Sequence, residues 1–234
     1  MNLNTKYKAK LTEQLMLTQE WDKTFPKSEQ VDQAKVQFVN RFGITLAGDL
    51  YMPKGAAAGL PALAVVGPYG AVKEQSGGYY AQKLAERGFV TLVFDPSFTG
   101  ESGGKVRNIS APDINLEDFA SAIDYLEALE VVDSSRIGVL GVCGWGCYTF
   151  PLAAIDTRVK AVVSATMGVF DTFTSGKERL AGRRALNEIR SRQAQGEAVP
   201  VLITVPDITV DSPDYMKDYY GYYRTARGYH KRSV

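Results

Sequence analysis

With 234 residues, 45% hydrophobic and 11% aromatic side chains, the chain has the length and apolar content of one α/β domain with a sizeable core. Lys plus Arg number 27 against 26 Asp plus Glu, so no global field selects nucleic acid or an anionic membrane surface. No stretch approaches the roughly 18 apolar residues of a membrane span, and the N-terminus lacks the apolar run and cleavage site of a signal peptide, so a cytoplasmic protein is expected.

Residues 1–33 are polar and mixed and read as an N-terminal arm. Apolar alternation then runs through Val36 to Asn40 and Ile44 to Met52 around Arg41-Phe42-Gly43, the spacing of an antiparallel hairpin. After the flexible Gly55 to Gly59 stretch, Pro61 to Val66 has the length and β-branching of a buried strand. Strand and helix then alternate: a helix from Tyr79 to Arg87 closed by Gly88, and a strand from Phe89 to Phe94. A Gly- and Ser-rich loop (Pro96 to Gly104), a helix from Leu116 to Leu129 and a strand from Ile137 to Val142 follow. A helix from Gly144 and a strand from Val159 to Ser164 complete the run. Continuous apolar strands alternating with helices predict a mostly parallel sheet covered on both faces, an α/β core over residues 34–169.

From residue 170 the pattern loosens into an Arg-rich helical stretch and a Tyr- and Gly-rich one, Tyr215 to Tyr229, so 170–234 reads as a cap-like or inserted segment. Arg224, Arg227, His230, Lys231 and Arg232 gather at its end; without a nucleic-acid recognition fold they read as an ordinary solvated segment. Cys143 and Cys147 lie four apart, which is a poor disulfide framework and, beside a single histidine, no four-ligand metal site. No metal, cofactor, nucleic acid or membrane partner is expected. The substrate is expected to be a small molecule.

The chemistry concentrates where the strand Ile137 to Val142 runs into Cys143-Gly144-Trp145-Gly146. A sharp strand-to-helix turn lifts one side chain above the sheet and demands small neighbours, and Gly141, Gly144 and Gly146 meet that demand. The usual second flanking glycine would stand at Trp145; here it comes one place late. A thiol at such a turn sits at a helix N-terminus, whose partial positive charge favours the nucleophilic thiolate. Cys143 is therefore the candidate nucleophile, and Cys147, one turn on, a packing residue. Acyl transfer also needs oxyanion donors, for which the backbone N–H groups of Gly144 and of Tyr69, in the loop Gly67 to Gly70, are the candidates. Pro151 predicts a kink or early end of the following helix. Asp95 and Asp118 read as structural.

These segments together resemble the α/β-hydrolase superfamily, in particular its dienelactone-hydrolase-like branch with the YcjY-like and X-Pro dipeptidyl-peptidase-like bacterial hydrolases. The resemblance rests on Gln19 to Pro26, Asn40 to Leu46 with Asp49 to Pro53, Val72 to Gln75, Phe94 to Ser102, Gly138 to Gly146 and Tyr222 to His230. It implies a hydrolase with its nucleophile at Cys143, acting on an ester, thioester or lactone. It also implies an Asp and a His on loops after later strands, so a C-terminally incomplete form of the fold, lacking its last strands, is expected. His230 falls at a cap-region position of the family and not at its catalytic histidine. Two readings stay open: a cysteine-dependent hydrolase, or a catalytically silent or binding form that keeps the pocket, with a second copy covering the open sheet edge.

Overall fold

In the computed structural model of the chain, residues 3–167, 176–198 and 204–234 are described. The first strands form an antiparallel hairpin: β1 (Val31–Val39) pairs with β2 (Thr45–Pro53), with Val31 opposite Pro53 and Val39 opposite Thr45. β1 begins five residues before the apolar alternation because Val31 to Lys35 pair with Pro53 to Asp49 on the ladder whatever their polarity. β3 (Leu60–Val66), β4 (Val90–Phe94), β5 (Val132–Val142) and β6 (Val159–Ala165) are mutually parallel, and β2 joins β4 antiparallel. The spatial order is β1-β2-β4-β3-β5-β6. The expected mostly parallel sheet with an N-terminal antiparallel hairpin is the architecture observed, an α/β-hydrolase fold.

Period-two alternation sends each central strand into two cores. In β3, Ala62, Ala64 and Val66 enter one cluster with Phe119, Ile123 and Leu126 of α2 (Pro112–Glu127) and Leu152 of α3 (Thr149–Ile155). Leu63 and Val65 enter the other, with Ala81 and Ala85 of α1 (Ser76–Ala85). A sheet buried on both faces explains why these strands read as unbroken apolar runs. Among the described residues β6 is one end of the sheet, and Val163 on it is 45% exposed.

Of the segment expected as a cap, 168–175 and 199–203 lie outside the described residues. Within the rest, the Arg-rich stretch forms α4 (Gly176–Ala194), which buries no residue, and the Tyr-rich stretch forms α5 (Asp214–Tyr223). No helix among the described residues is long and apolar enough to cross a membrane.

Candidate active site

β5 delivers the elbow. Val142 is still extended (φ −109°, ψ 136°), and Cys143 turns to φ 54°, a left-handed conformation that non-glycine residues rarely adopt. The close approach that makes this possible is between glycines. A Cβ on Gly141 would stand 2.7 Å from Gly146 Cα and 2.8 Å from the Trp145 carbonyl oxygen, and one on Gly144 would enter the Tyr69 ring. The late glycine of the motif is thus the one that meets Gly141, and Trp145 needs no small side chain at its own position. Side-chain donors then brace the turn. Cys147 Sγ donates to the Gly144 carbonyl at 2.8 Å, and Thr149 Oγ1 and Ser164 Oγ donate to the Gly146 carbonyl at 2.8 and 3.1 Å.

One expectation needs correction here. The segment after Cys143 is not an α-helix from Gly144 but a 3-10 helix, Cys143–Tyr148, with α3 starting only at Thr149. Pro151 accounts for the delay. In the first turn of α3 its missing N–H is one that has no intrahelical acceptor, whereas in a helix begun at Gly144 it would remove an interior bond.

The loop after β3 supplies the opposite wall. Tyr69 lies over Gly144 and meets the Trp145 ring edge-on, with ring centroids 4.4 Å apart. Burial, reinforced by hydrogen bonding with Tyr148, pushes the Tyr69 phenol far above its ordinary range, so it stays neutral. Burial also pushes the Cys147 thiol up, in keeping with a structural role. Cys143, Tyr69, Pro68, Tyr80, Thr204 and Tyr223 line one cavity of about 360 Å³ at the carboxyl end of β5. Cys143 and the backbone around Tyr69 and Gly144, expected together from the sequence, do converge.

Sequence reasoning missed what holds that loop in place. Lys73, fully buried four residues after Tyr69, reaches Glu74 and Glu101 at 2.7 Å and Asp95 at 2.9 Å. Lys35 joins Glu74 at 3.1 Å and Glu101 at 3.2 Å, and Lys23 joins Asp49 at 2.8 Å. Burial pushes Glu101 up, but the Lys73 charge and its hydrogen bond outweigh it and hold the carboxyl down to about 2. Asp95 is structural, as expected: its Oδ1 accepts from the Lys73 amide at 2.8 Å, and its Oδ2 from Lys73 Nζ and the Glu101 amide. Asp118 is structural too, accepting from Asn40, Ser97 and Asn115. The only signal in the sequence was that Lys73, Glu74, Asp95 and Glu101 all fall within the resembling segments.

The C-terminal basic segment is a second correction. It is not uniformly solvated: Arg232 binds Asp22 at 2.8 Å, Glu74 at 3.1 Å and Glu101 at 3.3 Å, so it enters the same network. His230 is buried, not a surface residue; its Nε2 stands 3.5 Å from Asp22 and its Nδ1 accepts the Arg232 amide. Gln75 donates to the Gly228 carbonyl at 2.7 Å, which draws the segment against the loop after β3. The reason is tertiary: the five carboxylates Asp22, Asp49, Glu74, Asp95 and Glu101 are buried or nearly so and demand cations.

Comparison with known proteins sets this geometry in context. The sequence pattern of the X-Pro dipeptidyl-peptidase (S15) family matches residues 43–197. The chain is 49% identical to the Pseudomonas aeruginosa protein PA2218 over 94% of its own length and 62% of that protein's. The crystal structure of PA2218 superposes with a TM-score of 0.87, at 47% identity, over 95% of this chain and 72% of that one. YcjY of Escherichia coli is 35% identical over 82% of the chain and 67% of its own length. The thiohydrolase aneE of Aspergillus aculeatus is 31% identical over 71% of the chain and 51% of its own length.

Proposed function

The chain belongs to the X-Pro dipeptidyl-peptidase (S15) family, with the α/β-hydrolase fold, and from that premise we propose that it hydrolyses a small ester, thioester or lactone through Cys143. The observation that carries this reading is the left-handed Cys143 at the carboxyl end of β5, open to a cavity and held by the Gly141–Gly146 contact. A strained residue of this kind, costing about 1–3 kcal/mol, persists where the surrounding structure overdetermines it.

In the proposed reaction the Cys143 thiolate attacks the substrate carbonyl, forming a C–S bond, while the backbone N–H groups of Tyr69 and Gly144 stabilise the oxyanion. The C–O or C–S bond to the leaving group then breaks, and that group takes up from solvent the proton that the Cys143 thiol released on ionising. Water cleaves the acyl–cysteine, releasing the acid and restoring the thiol, so one water is consumed per bond. Similarity to a protein named a thiohydrolase favours thioesters within this class.

The test is labelling and turnover on the full chain. Iodoacetamide is expected to modify Cys143 in the wild type and in Cys147→Ser, and Cys143→Ala is expected to lose hydrolysis of p-nitrophenyl esters. Equal rates for wild type and Cys143→Ala would remove the enzyme claim. That outcome would favour the second reading, a binding protein that keeps the pocket. What speaks for it is that His230 is engaged with Asp22 and Arg232 and is not among the residues lining the Cys143 cavity.

A further inference from the structure

Tyrosines from three parts of the fold meet around Cys143. Tyr69 comes from the loop after β3, Tyr80 from α1, and Tyr219 and Tyr223 stand one turn apart on α5, hence on one helix face. The remaining polar lining besides the Cys143 thiol is hydroxyl, from Ser76, Thr166 and Thr204, and no described residue lining the cavity is Asp, Glu, Lys, Arg or His. The nearby charged groups Lys73, Glu74, Glu101 and Arg232 are paired with one another.

Resting on the hydrolase reading above, we propose that this cavity selects an uncharged aromatic acyl group, so that the substrates are arylacyl esters or thioesters. A carboxylate on the acyl group would leave water without meeting a cation among the described lining residues. A straight alkyl chain would fill apolar volume but forgo the edge-to-face and offset contacts that tyrosine rings make with another ring. The volume fits: about 360 Å³ is more than twice the roughly 150 Å³ cavity that holds benzene, leaving room for a carbonyl and part of a leaving group. The Tyr69 wall is fixed beside the proposed oxyanion donors, since its ring is braced on Trp145 and closes on Gly144. Tyr80 and Tyr219 line the cavity while 41% and 46% exposed, so they stand where it meets solvent.

Three esters with one leaving group test this: p-nitrophenyl benzoate, hexanoate and hemisuccinate. Acylation of Cys143 is followed by intact mass, and each rate is divided by that of N-acetylcysteine with the same ester, which removes intrinsic reactivity. Benzoyl transfer is expected to exceed hexanoyl by about tenfold, with hemisuccinyl slowest. The Tyr219→Leu/Tyr223→Leu variant, shown to be folded by circular dichroism, is expected to lose that preference. The single variant Tyr80→Leu, at a site 41% exposed on α1, should reduce it if the double variant does not fold. A hexanoyl or hemisuccinyl rate equal to the benzoyl rate, or a preference untouched by the tyrosine variants, overturns the proposal. If no ester acylates Cys143, the hydrolase reading fails, and the aromatic preference is then read from binding alone. Saturation-transfer NMR with methyl benzoate should show binding to wild type that the tyrosine variants weaken, and no binding to wild type overturns the inference.

Discussion

Cys143 sits in a left-handed conformation that a side chain adopts only under constraint, and the constraint comes from glycines two residues before and three after it. Gly141 has no room for a side chain, since backbone atoms of Trp145 and Gly146 would lie within 3 Å of an added Cβ and cannot withdraw as a flexible side chain would. Gly141→Ala is therefore expected to cost about 1–3 kcal/mol by overpacking and to change the iodoacetamide rate of Cys143, both read from urea unfolding and mass spectrometry. Gly182→Ala is the contrast. It lies inside α4 with nothing within 4 Å of an added Cβ, so the same substitution should stabilise by about 0.5–1 kcal/mol through helix propensity. Equal effects at the two sites would show that the Gly141 contact does not constrain the elbow.

At the scale of elements, the elbow and the loop after β3 are positioned by different forces. Packing and three side-chain hydrogen bonds hold the 3-10 helix after Cys143. Buried charge holds the loop from Tyr69 to Gln75 through Lys73 within it, and a hydrogen bond from Gln75 to the Gly228 carbonyl ties its end. Breaking a buried ion pair by removing one partner is far costlier than its net contribution, because the remaining charges stay buried. Lys73→Met leaves Glu74, Asp95 and Glu101 short of a cation, so a loss of about 3–5 kcal/mol is expected in chemical denaturation. A loss below about 1 kcal/mol, the range of an exposed pair, would mean that Lys35 and Arg232 compensate. The α-helical start expected at Gly144 failed for a reason present in the sequence: Pro151 is tolerated only in a helix's first turn, which puts the start near Thr149.

Across the whole molecule, one ionic network ties the N-terminal arm, the hairpin, the loops after β3 and β4 and the C-terminal segment, so acid should undo it in stages. Burial lowers the proton affinity of His230, so the unfolded chain takes up a proton first as pH falls below about 6.5, and stability present above that value is lost on acidification. Glu101 is held down to about 2, so its contribution is complete above its ordinary value of about 4.5 and disappears as pH falls from there to about 2. Urea midpoints measured from pH 8 to 3 should decline in two ranges, and His230→Gln should remove the upper one only. A flat midpoint from pH 7 to 5 would contradict the burial of His230. By itself the sequence determined the alternation of strands and helices, the parallel sheet, the elbow at Cys143 and the neighbouring Tyr69 loop. These rest on local periodicity and on glycine and proline chemistry, which act within a few residues. Only the tertiary structure decided the partners of Lys73, the burial of His230 and Arg232, and the tyrosines around the thiol. Each of those joins residues far apart in the chain, and a charged residue's own spacing does not reveal whether it meets water or a counter-charge.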